Sequence, residues 1–490
     1  MRHKNYVLQH IFTTFVMFFP NSINDFSLIN ISSTTIMASP AKFSTKIGII
    51  AATIGSAIGL GNVWRFPAET QANGGAAFLI VYVACVLVLG VPVMVAEFAI
   101  GRRGNSDAIG SIRNITGKKK PYWLIGVLAV IVPYIILCYY MVVSGWTFSY
   151  LVHSIDGALY TPNAGDAGVD FTEKMRHYVL SDYSPLIMTF IVIALNYGVL
   201  MFGVRKGIER LSNFAMPVLF VILFVFCIYV LTLPGAGSGV KYFLSPDFTK
   251  VTPTTFINAL SQAFFSLSLG MGILVTYAAY YPKETKLART ASTVSVLDMF
   301  VAIMMGLIIF PAIGAFGDLD NSEIAGSTLI FVTLPEIFNQ MPSPCLWSTL
   351  FFILLNIATL TSTVSIAEVA IASVQHRFKI GRKVSTLIVI APLLVFSSIC
   401  SLSLGRWSGF TIFGMTIFDA FDYFATNIML PIVAFLMCVY IAWIAPRNIL
   451  NDEITNNGTL RSRFYRIVIF IIRYIAPFMI ALIFVGNFIK

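Results

Sequence analysis

Gly55-Ser-Ala-Ile-Gly-Leu-Gly-Asn-Val-Trp-Arg-Phe-Pro67 lies inside a long apolar run, yet holds three glycines, an asparagine and an arginine. Glycine loosens a helix, and polar groups are costly in hydrocarbon. The stretch reads as a helix interrupted where interruption is most expensive. An unpaired backbone group in lipid costs several kcal/mol, so unwound chain survives there only against protein or a polar cavity. A second stretch, Phe265-Ser-Leu-Ser-Leu-Gly-Met-Gly272, has the same character. Freed carbonyls and half-helix C-termini suit a cation, and half-helix N-termini suit a carboxylate. The two breaks therefore read as walls of one binding site. Glycines that only let helices pack closely are the competing reading.

The surroundings are those of a membrane protein. Of 490 residues, 57% are hydrophobic and 11% charged, against about 25% charged in a soluble domain. Apolar runs of about 20 residues, enough to cross roughly 30 Å of hydrocarbon, recur throughout. Eleven spans can be drawn: 46–70, 75–100, 121–152, 184–204, 208–233, 253–281, 287–315, 345–375, 384–404, 410–445 and 465–489. The fold class is an all-α polytopic membrane protein. Residues 1–36 hold one apolar patch, Ile11 to Pro20, too short to span. They read as a non-native or disordered extension, with Met37 a more natural start. A signal peptide is the weaker reading, since no small-residue cleavage site follows the patch. The six cysteines show no metal-type or disulfide-framework spacing.

The formal net charge of +10 is not spread evenly. One set of loops carries Arg102, Arg103, Arg113, Lys118, Lys119 and Lys120; Arg205, Lys206 and Arg210; Lys283, Lys286 and Arg289; Arg377, Lys379, Arg382 and Lys383; Arg447, Arg461, Arg463 and Arg466. The alternate loops carry Asp156, Asp166, Asp170, Glu173 and Asp182, then Asp318, Asp320, Glu323 and Glu336. The basic set is cytoplasmic by the positive-inside rule. The charge is a topology signal, and no nucleic-acid partner is expected. Eleven spans put the N-terminus in the cytoplasm and the C-terminus outside. The breaks fall in spans 1 and 6, an odd number apart, so the second half enters from the opposite side. That is the mark of a five-plus-five inverted repeat with broken helices 1 and 6. The repeats are 42–233 (helices 1–5) and 253–445 (helices 6–10), and helix 11 is 465–490.

With these motifs the chain resembles the neurotransmitter:sodium symporter family, among its bacterial sodium-dependent amino acid transporters. The resemblance runs from about residue 42 to 490. It rests on GSAIGLGNVWRFP, NGG at 73–75, EFAIGR at 97–102, Tyr139-Tyr140 with Gly145-Trp146, KGIER at 206–210, QAFFSLSLGMG at 262–272 and ATLTS at 358–362. It implies sodium-driven uptake of amino acids, or similar amines, by alternating access.

The resemblance also implies where ions and substrate sit. A first sodium site would take Ala57, Asn62, Ser266 and Asp298, with the substrate carboxylate completing the shell. All offer oxygens, as a hard cation needs. The family commonly has Thr at the position of Ser266 and Asn at that of Asp298. A charged Asp inside span 7 is costly unless paired. A cation supplies the pairing; a protonated Asp bonded to a neighbour is the alternative. A second sodium site would use carbonyls of Gly55, Ile58 and Ala358 and the hydroxyls of Thr361 and Ser362. Hydroxyls bonding back to their own helix are the competing reading. No Lys or Arg between Asn213 and Leu233 offers a fixed replacement for that ion.

The substrate carboxylate would meet the amides near Leu60 and Gly61 and the Tyr140 hydroxyl. Its amino group would meet carbonyls of Ala57, Phe265, Ser266 and Ser268. Ile136, Phe265, Ser268, Met271, Ser362 and Ile366 would line a mostly apolar side-chain pocket. Met271 stands where relatives have an aromatic, and its flexibility suits bulkier side chains. The implied substrate is a neutral, hydrophobic or aromatic amino acid. Arg65 and Asp422 would form an outer gate over Tyr140 and Phe265, with Asp419 the competing acid. Glu97 would accept hydrogen bonds from unwound span 6. The family's inner-gate Arg-x-x-Trp appears here as Pro40-Ala-Lys-Phe43, and its expected acid aligns with His376. Lys42 and Lys46 with Glu368 and Tyr280 are the available substitutes.

Two sodium ions are expected and chloride is not. Asp298 supplies the negative charge that chloride brings elsewhere, and Ala302 is neutral where some chloride-independent relatives place an acid. The partners are an amino acid and the lipid bilayer of a bacterial inner membrane; no oligomeric state is assigned. An enzyme is excluded by the lack of any motif with catalytic geometry, and a channel by the inverted repeat within one chain. The closest rival is a proton-coupled amino acid transporter of the same fold, with Asp298 as proton carrier.

Overall fold

The computed structural model describes residues 42–117, 119–162, 168–316, 326–460 and 465–489. The extension 1–36, Lys118, Asp166, Asp318, Asp320, Glu323, Arg461 and Arg463 lie outside the described residues. Eight helices are long and apolar enough to cross a membrane: Ala76–Gly104, Trp123–Ile155, Val204–Leu231, Leu287–Phe316, Pro344–Phe378, Arg382–Leu402, Ile417–Ile444 and Tyr465–Gly486. Lys46–Ala57 and Gly61–Ala72 form a ninth span, bent by 55°. Ser184–Leu200 is span 4, and Phe171–Leu180, which turns away from it by 76°, is too polar to cross alone. Pro253–Ser266 and Ile273–Ala279 make span 6, parted by residues 267–272. Every expected span thus contains helix, and eight to ten of them are long and apolar enough to cross a membrane.

The differences are at the ends. Span 10 begins at Ile417, because Ile412 and Met415 exchange backbone hydrogen bonds and Thr416 caps the helix through the Asp419 amide. The loops fold into helices that the hydropathy pattern does not announce, among them Ala108–Thr116 and Ile449–Thr455. Their amphipathic turns are too short to register against long apolar runs.

Each break has a local cause. The first half-helix closes on the Ile58 amide, which donates to the Ile54 carbonyl, and Ile58 itself is extended. The chain restarts as a wide π turn, Gly61–Arg65, and becomes α at Phe66 with Pro67 in its first turn. Proline there costs no helical hydrogen bond. In span 6 the backbone turns left-handed at Ser268 (φ 54°), Gly270 (φ 79°) and Gly272 (φ 65°). Ser268 pays for its strained φ with a bond across the site: its hydroxyl donates to the Ser56 carbonyl at 2.9 Å.

Candidate functional site

The two breaks meet. Gln262 Nε2 on span 6 donates to the Gly61 carbonyl (2.9 Å), and Asn62 Nδ2 on span 1 donates to Ser266 Oγ (3.1 Å). Span 7 closes the cluster with Asp298. Its Oδ1 accepts from Asn62 Nδ2 at 2.9 Å and its Oδ2 from Ser266 Oγ at 2.7 Å. Asp298 is fully buried. Among the described residues no Lys, Arg or His forms an ion pair with it. A buried carboxylate met only by neutral donors, at the half-helix C-terminus that ends on Ser266, is a donor set that fits a hard cation. The Asn62 oxygen was expected to face that cation. Here it accepts from the Gly59 amide at 3.1 Å, and the NH2 faces the carboxylate. An ion among these oxygens calls for the opposite amide orientation, a rotation about one bond.

The second expected group is also contiguous. Ser362 Oγ donates to the Ile58 carbonyl at 3.0 Å, joining span 8 to the first break. Gly55 lies against Thr361, where a Cβ would come within 3.3 Å of the Thr361 Cβ. Thr361 Oγ1 bonds back to the carbonyls of Ile357 and Ala358 at 3.0 and 3.1 Å. That hydroxyl currently serves its own helix, as Ser and Thr often do.

Above these groups, the Leu60 amide donates to the Tyr140 hydroxyl at 3.2 Å. Gly59 carries no assignment from sequence, yet it is fixed by contact. A Cβ there would lie 2.9 Å from both Tyr140 Oη and Ser362 Oγ. Ile136, Met271 and Ile366 are all buried. Arg65 holds its guanidinium carbon 4.9 Å over the Phe265 ring and donates to Ser261 Oγ at 3.1 Å. Arg65, Tyr140, Phe265 and Asp422 line one cleft of about 250 Å³. Among the described residues Arg65 and Asp422 make no direct ion pair; Asp422 faces Tyr139. Asp419 is exposed, and its carboxylate accepts instead from the hydroxyl of Thr416, the cap of its own helix. Glu97 is fully buried, and its Oε1 accepts from the Gly270 amide at 2.7 Å, inside the second break.

Two residues near Asp298 escaped the sequence reading. Tyr82, fully buried, places its hydroxyl within electrostatic reach of Asp298 and Ser266. Gln262 holds the Gly61 carbonyl. Tyr82 stands alone in an apolar run, and Gln262, though it opens the QAFFSLSLGMG motif, has no spacing that points to its partner.

The inner side requires a correction. Neither Lys42 nor Lys46 pairs with Glu368 among the described residues. Glu368 is held by Arg382 through a bidentate ion pair, and accepts from Tyr280 Oη at 2.8 Å. Arg382 opens span 9 only a short turn after span 8 ends, so its side chain folds back onto Glu368. The start of span 1 is held differently. Ser44 Oγ and the Ser44 and Thr45 amides donate to the Glu209 carboxylate at 2.6, 2.9 and 3.1 Å. Phe43 packs among Tyr277, Tyr280 and Tyr281, with ring centroids 5.7 to 6.2 Å apart. His376 meets Ser106 Oγ at 3.0 Å.

Helices broken at matched depths, with unwound backbone and a buried acid between them, define a multi-span membrane transporter. The sequence profile of the Sodium:neurotransmitter symporter family matches residues 41–166 and 180–490, and the chain belongs to that family. Its members are transporters, not enzymes. An uncharacterized sodium-dependent transporter of Bacillus subtilis is 34% identical over 449 residues, covering 91% of this chain and 97% of its own. The human sodium- and chloride-dependent taurine transporter is 29% identical, over 84% of this chain and 73% of its own. Among solved structures, MhsT in complex with L-phenylalanine superposes with a TM-score of 0.82 at 36% identity, covering 91% of this chain and 99% of that one.

Proposed function

We propose that the chain is a sodium-coupled symporter that imports a neutral, hydrophobic or aromatic amino acid. The observation that carries the reading is the Asp298–Asn62–Ser266 cluster, a buried carboxylate without a cationic partner where the two broken helices touch. Asn62, Ser266, Asp298 and the Ala57 carbonyl take one sodium ion, with the substrate carboxylate as a further ligand. Gly55, Ile58, Ala358, Thr361 and Ser362 take a second. Leu60, Gly61 and Tyr140 receive the substrate carboxylate, and the carbonyls of Phe265, Ser266 and Ser268 its amino group. Its side chain lies among Ile136, Phe265, Ser268, Met271, Ser362 and Ile366. Arg65 and Asp422 close the outer cleft, and Glu97 pins the second break. The phenylalanine bound to MhsT supports an apolar substrate. The repeats run 42–233 and 253–445, with 465–490 as an added helix, and the basic loops face the cytoplasm.

The test is the thermal stability of the purified protein with each of the twenty amino acids, in sodium and in choline. A ligand bound only to the folded state raises stability by RT ln(1 + [L]/Kd). A shared carboxylate makes sodium and substrate bind cooperatively, and the coupling is reciprocal. An apolar amino acid should raise Tm in sodium and far less in choline, and both Asn62→Ala and Ser266→Ala should abolish the difference. A substrate shift equal in the two media, with uptake instead following the proton gradient, makes Asp298 a proton carrier and overturns the sodium reading.

A further inference from the structure

Arg473 sits within span 11, at the level where span 10 ends. Both spans carry a π turn there, Tyr440–Ile444 and Ile471–Ile475. A π turn spoils the regular ladder of hydrogen bonds and releases backbone groups. Each turn is mended from the other: Arg473 Nη2 donates to the Ala442 carbonyl at 3.0 Å, and Trp443 Nε1 donates to the Arg473 carbonyl at 3.2 Å. That exchange uses one of the five donors on Arg473. Its Nε is buried without a partner, and Nη1 makes no hydrogen bond among the described residues. The guanidinium carbon lies 5.5 Å from the Trp443 ring, and no acid pairs with it among the described residues.

The surroundings face outward and are basic. Trp443 is 60% exposed and Tyr474 50%. Their rings meet edge to face at 5.7 Å, an amphipathic pair of the kind that marks a membrane–water interface. Arg447, just past the end of span 10, and Arg466, seven residues before Arg473 on span 11, are exposed, with no ion pair among the described residues. Between Pro446 and Ile475 the sequence holds five arginines (447, 461, 463, 466 and 473) against two acids, Asp452 and Glu453. Glu453 is already taken by Arg102. A cation flanked by lipid-facing aromatics and lacking a protein counter-ion draws its anion from the lipid.

We infer that the junction of spans 10 and 11 binds the phosphodiester of an anionic phospholipid on the basic side of the membrane. Arg473 holds a phosphate oxygen, and Arg447 and Arg466 add positive potential. The acyl chains run along the exposed faces of Trp443, Phe470 and Tyr474. Bidentate capacity and weak hydration suit arginine to this task. Each cation near the surface contributes about a five-fold gain in affinity for anionic lipid.

The experiment uses the full chain, purified in detergent and depleted of lipid. Tm and retained lipid, by native mass spectrometry, are measured with phosphatidylglycerol, with phosphatidylcholine, and with inorganic phosphate. Phosphatidylglycerol should raise Tm and survive as a one-to-one adduct, whereas the other two should not. Arg473→Gln, whose amide nitrogen reaches only as far as Nε and so also gives up the bond to Ala442, should weaken the adduct about five-fold, and Arg473→Lys should keep most of it. The double variant Arg447→Gln/Arg466→Gln alters only exposed side chains, so it folds, and should weaken the adduct further. Equal stabilisation by phosphatidylcholine overturns the charge recognition. An equal effect of inorganic phosphate overturns the lipid as source. Unchanged phosphatidylglycerol binding in both the Arg473→Gln and the double variant leaves Arg473 as a helix staple and overturns the site. Should Arg473→Gln not fold, an unchanged adduct in the double variant overturns it alone.

Discussion

Asp298 concentrates the chemistry of the molecule in one side chain. It is fully buried, accepts from Asn62 and Ser266, and is the sole acid within span 7. Opposite charges about 4 Å apart interact by roughly 4 kcal/mol at an effective dielectric of 20. On the proposed reading that is enough to make an external anion unnecessary. Wild-type uptake should be the same in gluconate as in chloride. Asp298→Asn keeps an oxygen but removes the charge, so it should weaken sodium binding at least ten-fold and acquire a chloride requirement, read from uptake in matched chloride and gluconate buffers. A wild type that needs chloride, or an Asp298→Asn that transports normally without it, contradicts this account. Asp298, Asn62 and Ser266 were legible because polar residues within apolar runs are conspicuous, and the family resemblance gave them one role. Tyr82, Gln262 and Gly59 were not. Their importance comes from whom they touch across the site, which no spacing along one helix encodes. Arg382 was visible only as one loop cation among many, since the positive-inside rule counts charges without asking where each side chain folds.

At the scale of elements, span 1 is two helices with different anchors. Its inner half is held by Glu209, on the first turns of span 5, through the Ser44 and Thr45 amides and hydroxyls. Gly48 is fixed by the same contact, because a Cβ there would collide with the Glu209 side chain. Hydrogen bonds to a charged acceptor contribute about 1.5–3 kcal/mol, against about 1 for a neutral one. Glu209→Gln keeps the shape and removes the charge. The inner half-helix should then leave its seat about ten-fold more often, and a cysteine at Ala52 in a cysteine-free background should be labelled correspondingly faster from the basic side. A labelling rate unchanged by Glu209→Gln would show that Phe43 and its tyrosines suffice. The breaks themselves were legible to within a few residues, since Gly-rich polar stretches in apolar runs have few other readings. The short loop helices were not, and neither was the true start of span 10, which depends on the Ile412–Met415 turn.

For the whole molecule, the proposed eleven crossings, an odd number, put residues 42 and 490 on opposite sides of the membrane. A reporter active only outside the cytoplasm, fused after Lys490, should be active, and the same reporter in the 379–381 turn should be silent. Equal activity at both positions contradicts the charge-based orientation. Fold class was readable from hydropathy and loop charge alone, because a bilayer leaves the chain few options. The pairing of Asn62 with Asp298 was not readable that way and came only through the family resemblance, because it is written in contacts between distant segments.

The ion pair between Glu368 and Arg382 has one more consequence. It joins spans 8 and 9 to each other and leaves span 1 out. Swinging the inner half-helix away therefore separates no buried pair of opposite charges, a step that typically costs 3–5 kcal/mol when one partner is lost. It asks that water replace Ser44 and Thr45 at Glu209, on the first turns of span 5, and that neutral contacts such as Phe43 with its tyrosines and Thr53 with Tyr281 come apart. The kinetic barrier to opening inward is then a matter of hydration rather than charge separation, and its height should be nearly indifferent to ionic strength.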